Sequence, residues 1–226
     1  MITIETYLKF WGQDLMNIQI ATEIEEVLPP AAVTFFRQYG LPTNDRIFRE
    51  RKKYLESTTS IPEVILSEKN IKKSIKSLYP YFEFLPSLSE TFEFQGEKFV
   101  KIGIAGEDDL AIDIGSGSVH RIDRNPPNSW PTNFPPLVQN QFINSAVDKF
   151  GLFLAAEFIA RQECIVPTRK YDDAINSKNT KLRKVAEKEI DRIIDNLEKE
   201  FTETDSQALV TYECFWWSYL REYRDK

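Results

Sequence analysis

Histidine and cysteine are nearly absent from this chain of 226 residues: His120 is the single histidine, and Cys164 and Cys214 are the two cysteines. One histidine cannot build a His-rich zinc site, and two distant cysteines do not complete one, so no metal is expected. A disulfide between Cys164 and Cys214 stays open as an option that their spacing does not demand. So few cysteines fit the reducing cytoplasm. No Gly-Lys-Ser or Gly-Lys-Thr follows a glycine at the spacing of a phosphate loop. No apolar run approaches the ~20 residues that cross a bilayer, so no membrane association is expected. The first residues, MITIETYLKFWGQDL, carry neither a basic leader nor an unbroken apolar core, so no secretory signal is expected there. No serine lies in a nucleophile elbow, and neither cysteine has a basic neighbour to lower its pKa. A Ser-His-Asp set assembled from distant residues is formally open, but the residues assign no catalytic role, and the chain is expected not to be an enzyme.

What the chain does have is carboxylate and aromatic side chains. Asp and Glu number 35 against 29 Lys and Arg, a formal charge of −6, and 16 phenylalanines sit in a 42% apolar composition. That is enough core for one domain over 1–226 without a staple. An acidic domain is a poor direct binder of nucleic acid, whose phosphates need clustered cations. It suits a basic protein partner, because complementary charge speeds encounter.

The strongest pattern lies at 91–123. Phe92 and Phe94 alternate with polar residues, and so do Val100, Ile102 and Ile104, and then Leu110, Ile112 and Ile114. Gly96-Glu97, Gly106 to Asp109 and Gly115 to Gly117 separate these runs as turns, which predicts an antiparallel meander. Helices are predicted around it. Residues 3–16 place Tyr7, Leu8 and Trp11 on one face, weakened by Gly12. LPPAAVTFFRQYGLP at 28–42 has Pro30 at a helix start and Gly40 at its stop. Residues 43–75 read as charged and irregular, with a strand at 61–66 (IPEVIL), and five prolines make 124–137 a loop. Ser145 is placed as the cap of a helix, with Asp148 as its capping-box partner and Val147, Phe150, Leu154 and Phe158 at helical spacing. A charged stretch at about 168–203 carries the stripe Leu182, Val185, Ile190, Ile193, Leu197 and Phe201. The tail 212–223 forms a last helix, with Trp216, Tyr219, Leu220 and Tyr223 on one side and its aromatics read as core. The expected fold class is α+β: a central, mainly antiparallel sheet flanked by helices.

Two strings invite chemistry. Asp113-x-Gly115-x-Gly117 looks like the opening of a methyltransferase or dinucleotide loop, which needs a helix to follow so that its amino terminus faces the ligand. The third glycine is missing, Val119 stands in its place, and Asn125-Pro126-Pro127 blocks a helix. A tight hairpin is the favoured reading, and no cofactor is expected. The nucleotide- or S-adenosylmethionine-using enzyme is kept as the alternative. Glu107, Asp108 and Asp109 form an acidic turn, either simple hairpin solvation or a patch for a partner's Arg or Lys. With Asp113 they are the candidate partner-binding residues.

Several strings together resemble the SUKH superfamily, the SMI1/KNR4-like proteins. LPPAAVTFFRQYGLP is similar to its Leu-Pro…Phe…Tyr-Gly opening helix, and FVKIGIAGEDDLAIDIGSGSVHRID to its central hairpin. FINSAVDKFGLFL and Trp216-Trp217 are similar to its SUKH-4 branch. The likeness runs in patches from about Leu28 onwards, and the stretch at 168–203 departs from it as an insertion or elongation. The resemblance implies an immunity protein that binds and neutralises a cognate polymorphic toxin, a basic nuclease or nucleic-acid deaminase, inside the producing cell. A regulatory scaffold domain, the eukaryotic form of the same superfamily, is the remaining alternative. It is disfavoured because such proteins carry long disordered arms and this chain has none.

Overall fold

The computed structural model describes residues 2–58, 81–124, 138–211 and 213–224. The expected strand at 61–66 and nearly all of the proline-rich loop at 124–137 lie outside them. The fold is α+β, as the patterning implies: one main antiparallel sheet flanked by helices. The amino-terminal part holds α1 (Ile4–Trp11), the short strands β1 (Leu15–Met16) and β2 (Gln19–Ile20), α2 (Thr22–Glu25), α3 (Pro30–Gln38), β3 (Leu41–Pro42) and α4 (Asn44–Thr58). The expected helix 3–16 stops early because Gly12 takes a positive φ at its end.

Helix α3 has Pro30 in its first turn, where a missing N–H costs nothing. It stops at Gly40, which sits at φ +69°, and a Cβ there would fall 2.1 Å from the Met16 carbonyl oxygen. Only glycine fits both the conformation and the space. The buried Tyr7 hydroxyl donates to the Gly40 carbonyl at 2.7 Å, tying α1 to that stop.

Helix α4 corrects the irregular reading of 43–58. Thr43 caps it, its Oγ1 accepting from the Arg46 N–H at 3.2 Å. Its buried stripe is Ile47, Arg51 and Leu55 at i, i+4, i+8. An arginine in the middle of a core stripe hides the helical period from a reading based on apolar residues.

The sheet is built from β4 (Phe82–Phe84), β6 (Thr91–Phe94), β7 (Glu97–Ala105), β8 (Asp108–Asp113), β9 (Val119–Ile122) and β10 (Asn140–Asn144), with β5 (Ser87–Leu88) beside it. Its order is β10-β9-β8-β7-β4. Strand β7 is long enough to pair with both β4 and β6 along one edge, Phe82↔Ala105 at one end and Phe94↔Glu97 at the other. Between them the chain leaves the edge, and β5 pairs in parallel with β2. The meander β6–β9 falls where alternation places it, while the flanking strands β4 and β10 add to it.

Helices α5 (Val147–Asn176), α6 (Thr180–Asp205) and α7 (Phe215–Arg224) follow. Phe150, Phe153 and Leu154 of α5 are buried in the main core. The helix continues through Pro167, so the change of character near 168 is not an element boundary. Trp216 is fully buried among Phe82, Phe153, Phe201, Phe215 and Tyr219. The tail aromatics 215, 216 and 219 are therefore core. Of the expected α6 stripe, Ile193, Leu197 and Phe201 are buried, whereas Leu182 and Val185 are exposed.

Ser145 does not cap α5. Its hydroxyl donates to the Asp205 carboxylate at 3.1 Å, and its backbone N–H donates to the same group at 2.7 Å. The carboxylate at this helix start comes from the far end of α6, a favourable placement for negative charge.

Candidate functional site

The strand alternation that builds the meander also sets its chemistry, because side chains two apart share a face. At the β7–β8 turn Glu107 is exposed, and the two aspartates after it point to opposite faces of the sheet. Asp108 accepts from Arg121 of β9, which also reaches Gln141 of β10 at 3.4 Å. Asp109 pairs with Lys101 of β7 at 2.7 Å and with Arg124. Arg124 in turn lies 3.5 Å from Glu90 and over the Phe92 ring at 4.5 Å. Thus Asp108 and Asp109, candidates from sequence alone, are engaged within the fold, and Glu107 stands at the tip.

Among the described residues, five carboxylates (Glu90, Glu107, Asp108, Asp109 and Asp123) stand near this end of the sheet with Lys101, Arg121 and Arg124. Burial lifts the proton affinity of Asp108 above the ordinary carboxylate value; Arg121 opposes the lift, and Asp123 and Glu107 add to it. Burial thus penalises the charged form of Asp108, a penalty that an arriving cation would relieve.

Asp113 sits at the opposite end of β8 and does not join this group. Its Oδ1 accepts from the Gly115 N–H at 2.7 Å and its Oδ2 from the Ser116 hydroxyl at 2.8 Å. Its carbonyl accepts from the Gly117 N–H at 2.8 Å, and Gly117 sits at φ +80°. This is a closed hairpin turn running straight into β9. No helix follows, so the anion-binding geometry of a nucleotide loop is not built here.

The same turn holds an arrangement that sequence reasoning missed. Ser118 Oγ lies 2.7 Å from His120 Nε2, and His120 Nδ1 lies 2.7 Å from Asn140 Oδ1. Ser118 and His120 share a face at i, i+2, a spacing legible in the sequence, whereas Asn140 arrives from β10. The order is that of a Ser-His-acid row with an amide in the acid's place. A neutral amide orients the ring but cannot balance an imidazolium. Ser118 is 7% exposed, and its oxygen also lies 2.6 Å from Ser116 Oγ. The row reads as a tie between the turn and the sheet.

Burial holds the proton affinity of His120 below the usual value of 6.5, with the Asn140 bond, Asp113 and Glu97 pulling the other way. The unfolded chain then binds the proton more readily than the folded one. The stability from a neutral His120 is complete above pH 6.5 and is lost as pH falls below it. Urea titrations from neutral pH down to about pH 5 should show a steeper loss in the wild type than in His120→Gln. Equal slopes would remove this role.

Among the described residues no three or more His, Cys, Asp or Glu side chains gather as a metal site, and no helix is long and apolar enough to cross a membrane. Cys164 and Cys214 are free and buried, and burial pushes the Cys164 thiol up to about 11. Compared with protein-family models, curated proteins and solved structures, the chain finds no match.

Proposed function

We propose that this chain is an immunity-type binding protein, which docks a basic toxin at the carboxylate-rich end of its meander and covers the toxin's nucleic-acid face. The observation that carries the reading is that, among the described residues, carboxylates outnumber cations around the half-buried Asp108. A partner's Arg or Lys would supply the missing positive charge and gain charge-assisted bonds. The formal charge of −6 and the strings similar to the SUKH superfamily support the same reading. The cofactor-using enzyme has no such support, since its loop would need a helix after Gly117.

The test begins with the reading frame next to this one. Its toxin domain, co-expressed with this chain, should lose its toxicity and co-elute with it. Glu107→Gln with Asp108→Asn should weaken the complex roughly tenfold and flatten its salt dependence. A toxin that still kills, with no complex on the column, rejects the immunity reading. A tight complex indifferent to both substitutions moves the docking site elsewhere.

A further inference from the structure

The hairpin of α5 and α6 carries a face that the core does not use. Val166, Leu182 and Val185 are 56%, 36% and 53% exposed, among the few large apolar residues so open in the described chain. They are not scattered. Leu182, Val185, Glu189, Asn196, Glu200 and Glu203 follow the three-four spacing of one helix face, as do Ile159, Glu163, Val166 and Lys170 on α5. Lys170 and Glu189 pair at 3.4 Å across the two helices, so both series belong to one side of the hairpin. Nearer the body this side opens into a groove of about 420 Å³, floored by Ala156, Ala160 and Leu197, walled on the α1 side by Ile2 and Thr6, and edged by Glu163, Glu200 and Glu203 with Lys199 among them.

The charge along α6 runs against its own dipole. Residues 180–189 hold four Lys or Arg against two Glu, while 190–205 hold six carboxylates against Arg192 and Lys199. The first turn has no acid and the last turn no base. Helices favour the opposite arrangement. On the exposed side, Lys181 and Lys188 flank Leu182 and Val185 near the distal end, while Glu200 and Glu203, with Lys199 beside them, stand at the grooved proximal end.

We propose that this side docks a second copy of the chain, antiparallel, about a two-fold axis near the middle of α6. The polarity selects that occupant. Reversing the rod end for end sets Lys181 and Leu182 of one copy at the acidic groove of the other, and the symmetry repeats the contact. Two hairpins so paired form a four-helix bundle with interdigitating side chains. A face about 30 Å long and 20 Å wide covers roughly 600 Å² per copy, near the lower limit of specific interfaces, so the dimer is reversible. It uses none of the carboxylates of the meander end and stands apart from the toxin-binding reading.

Sedimentation equilibrium of the full chain should give a dimer that dissociates on dilution. Val185→Glu should be monomeric with an unchanged circular dichroism spectrum and melting temperature. Glu200→Lys with Glu203→Lys should raise the dissociation constant at least roughly tenfold, and adding Lys181→Glu with Lys188→Glu should restore it. A wild-type chain that stays monomeric up to about 1 mM overturns the proposal; so does a Val185→Glu dimer, or a toxin that binds this face of a monomer.

Discussion

Glu157→Ala should cost the protein about 3–5 kcal/mol, a large part of the ~5–15 kcal/mol that holds a domain folded. The Glu157 side chain is fully buried on α5. Its Oε1 accepts from Arg161 Nε and, at 3.1 Å, from the Tyr219 hydroxyl of α7. Its Oε2 lies 3.8 Å from Arg51 of α4, whose side chain is equally buried. The guanidiniums also lie over aromatic rings, Arg51 over Phe158 at 4.9 Å and Arg161 over Tyr54 at 5.2 Å. One carboxylate thus stands between two desolvated cations and joins three helices. Its removal takes a buried counter-charge from both guanidiniums in a medium that penalises charge. Glu157→Gln keeps the shape and loses the charge, so it should fall between alanine and wild type. Replacing Arg51, Glu157 and Arg161 together by Met, Leu and Met should cost less than Glu157→Ala alone. Urea unfolding measures each. An alanine variant within about 0.5 kcal/mol of wild type would show that the cluster does not hold the helices together.

That cluster also marks where the sequence stops being readable. The meander could be read because its strands alternate and its turns carry glycine, both local signals. Helix α3 could be read because Pro30 and Gly40 mark its ends. Helix α4 could not, since Arg51 occupies a core position and breaks the apolar stripe of Ile47 and Leu55. One of the groups that answer its charge there is Glu157, more than a hundred residues away. Strands β4 and β10 are only 3 and 5 residues long, and β10, Asn-Gln-Phe-Ile-Asn, has little apolar alternation. They are strands because the edges of the meander offer them partners.

The candidate site was legible in kind and not in detail. The acidic turn stands out in sequence, and Glu107 is exposed as a turn residue should be. The engagement of Asp108 by Arg121 on β9, and of Asp109 by Arg124 just past the end of β9, could not be seen, because both depend on a strand register that the sequence does not state. Charge places Asp113 with the cluster in a reading of the sequence, but the direction of β8 carries it to the other end.

Asp205→Ala should be the second large loss, about 2–4 kcal/mol, more than an ordinary helix cap contributes. Asp205 is 3% exposed and gathers the Ser145 N–H, the Ser145 hydroxyl and Asn144 Nδ2, the last at 3.2 Å. The fully buried Asn144 uses its other end to accept from Trp216 Nε1 at 2.8 Å. A single chain of bonds therefore links the end of α6, the start of α5, strand β10 and the aromatic centre of the core. Alanine at 205 strips the acceptor from three buried or half-buried donors at once and removes the charge facing the start of α5. Trp216→Phe breaks the same chain from its other end and leaves the Asn144 oxygen without its indole donor. Since both act through Asn144, the double variant should lose less than the two single losses added together, by at least about 0.5 kcal/mol. Urea titration of the four proteins closes the cycle. Strict additivity would mean that Asn144 transmits nothing between the helix start and the tryptophan. A near-neutral Asp205→Ala would mean that water serves the start of α5 as well as this carboxylate does.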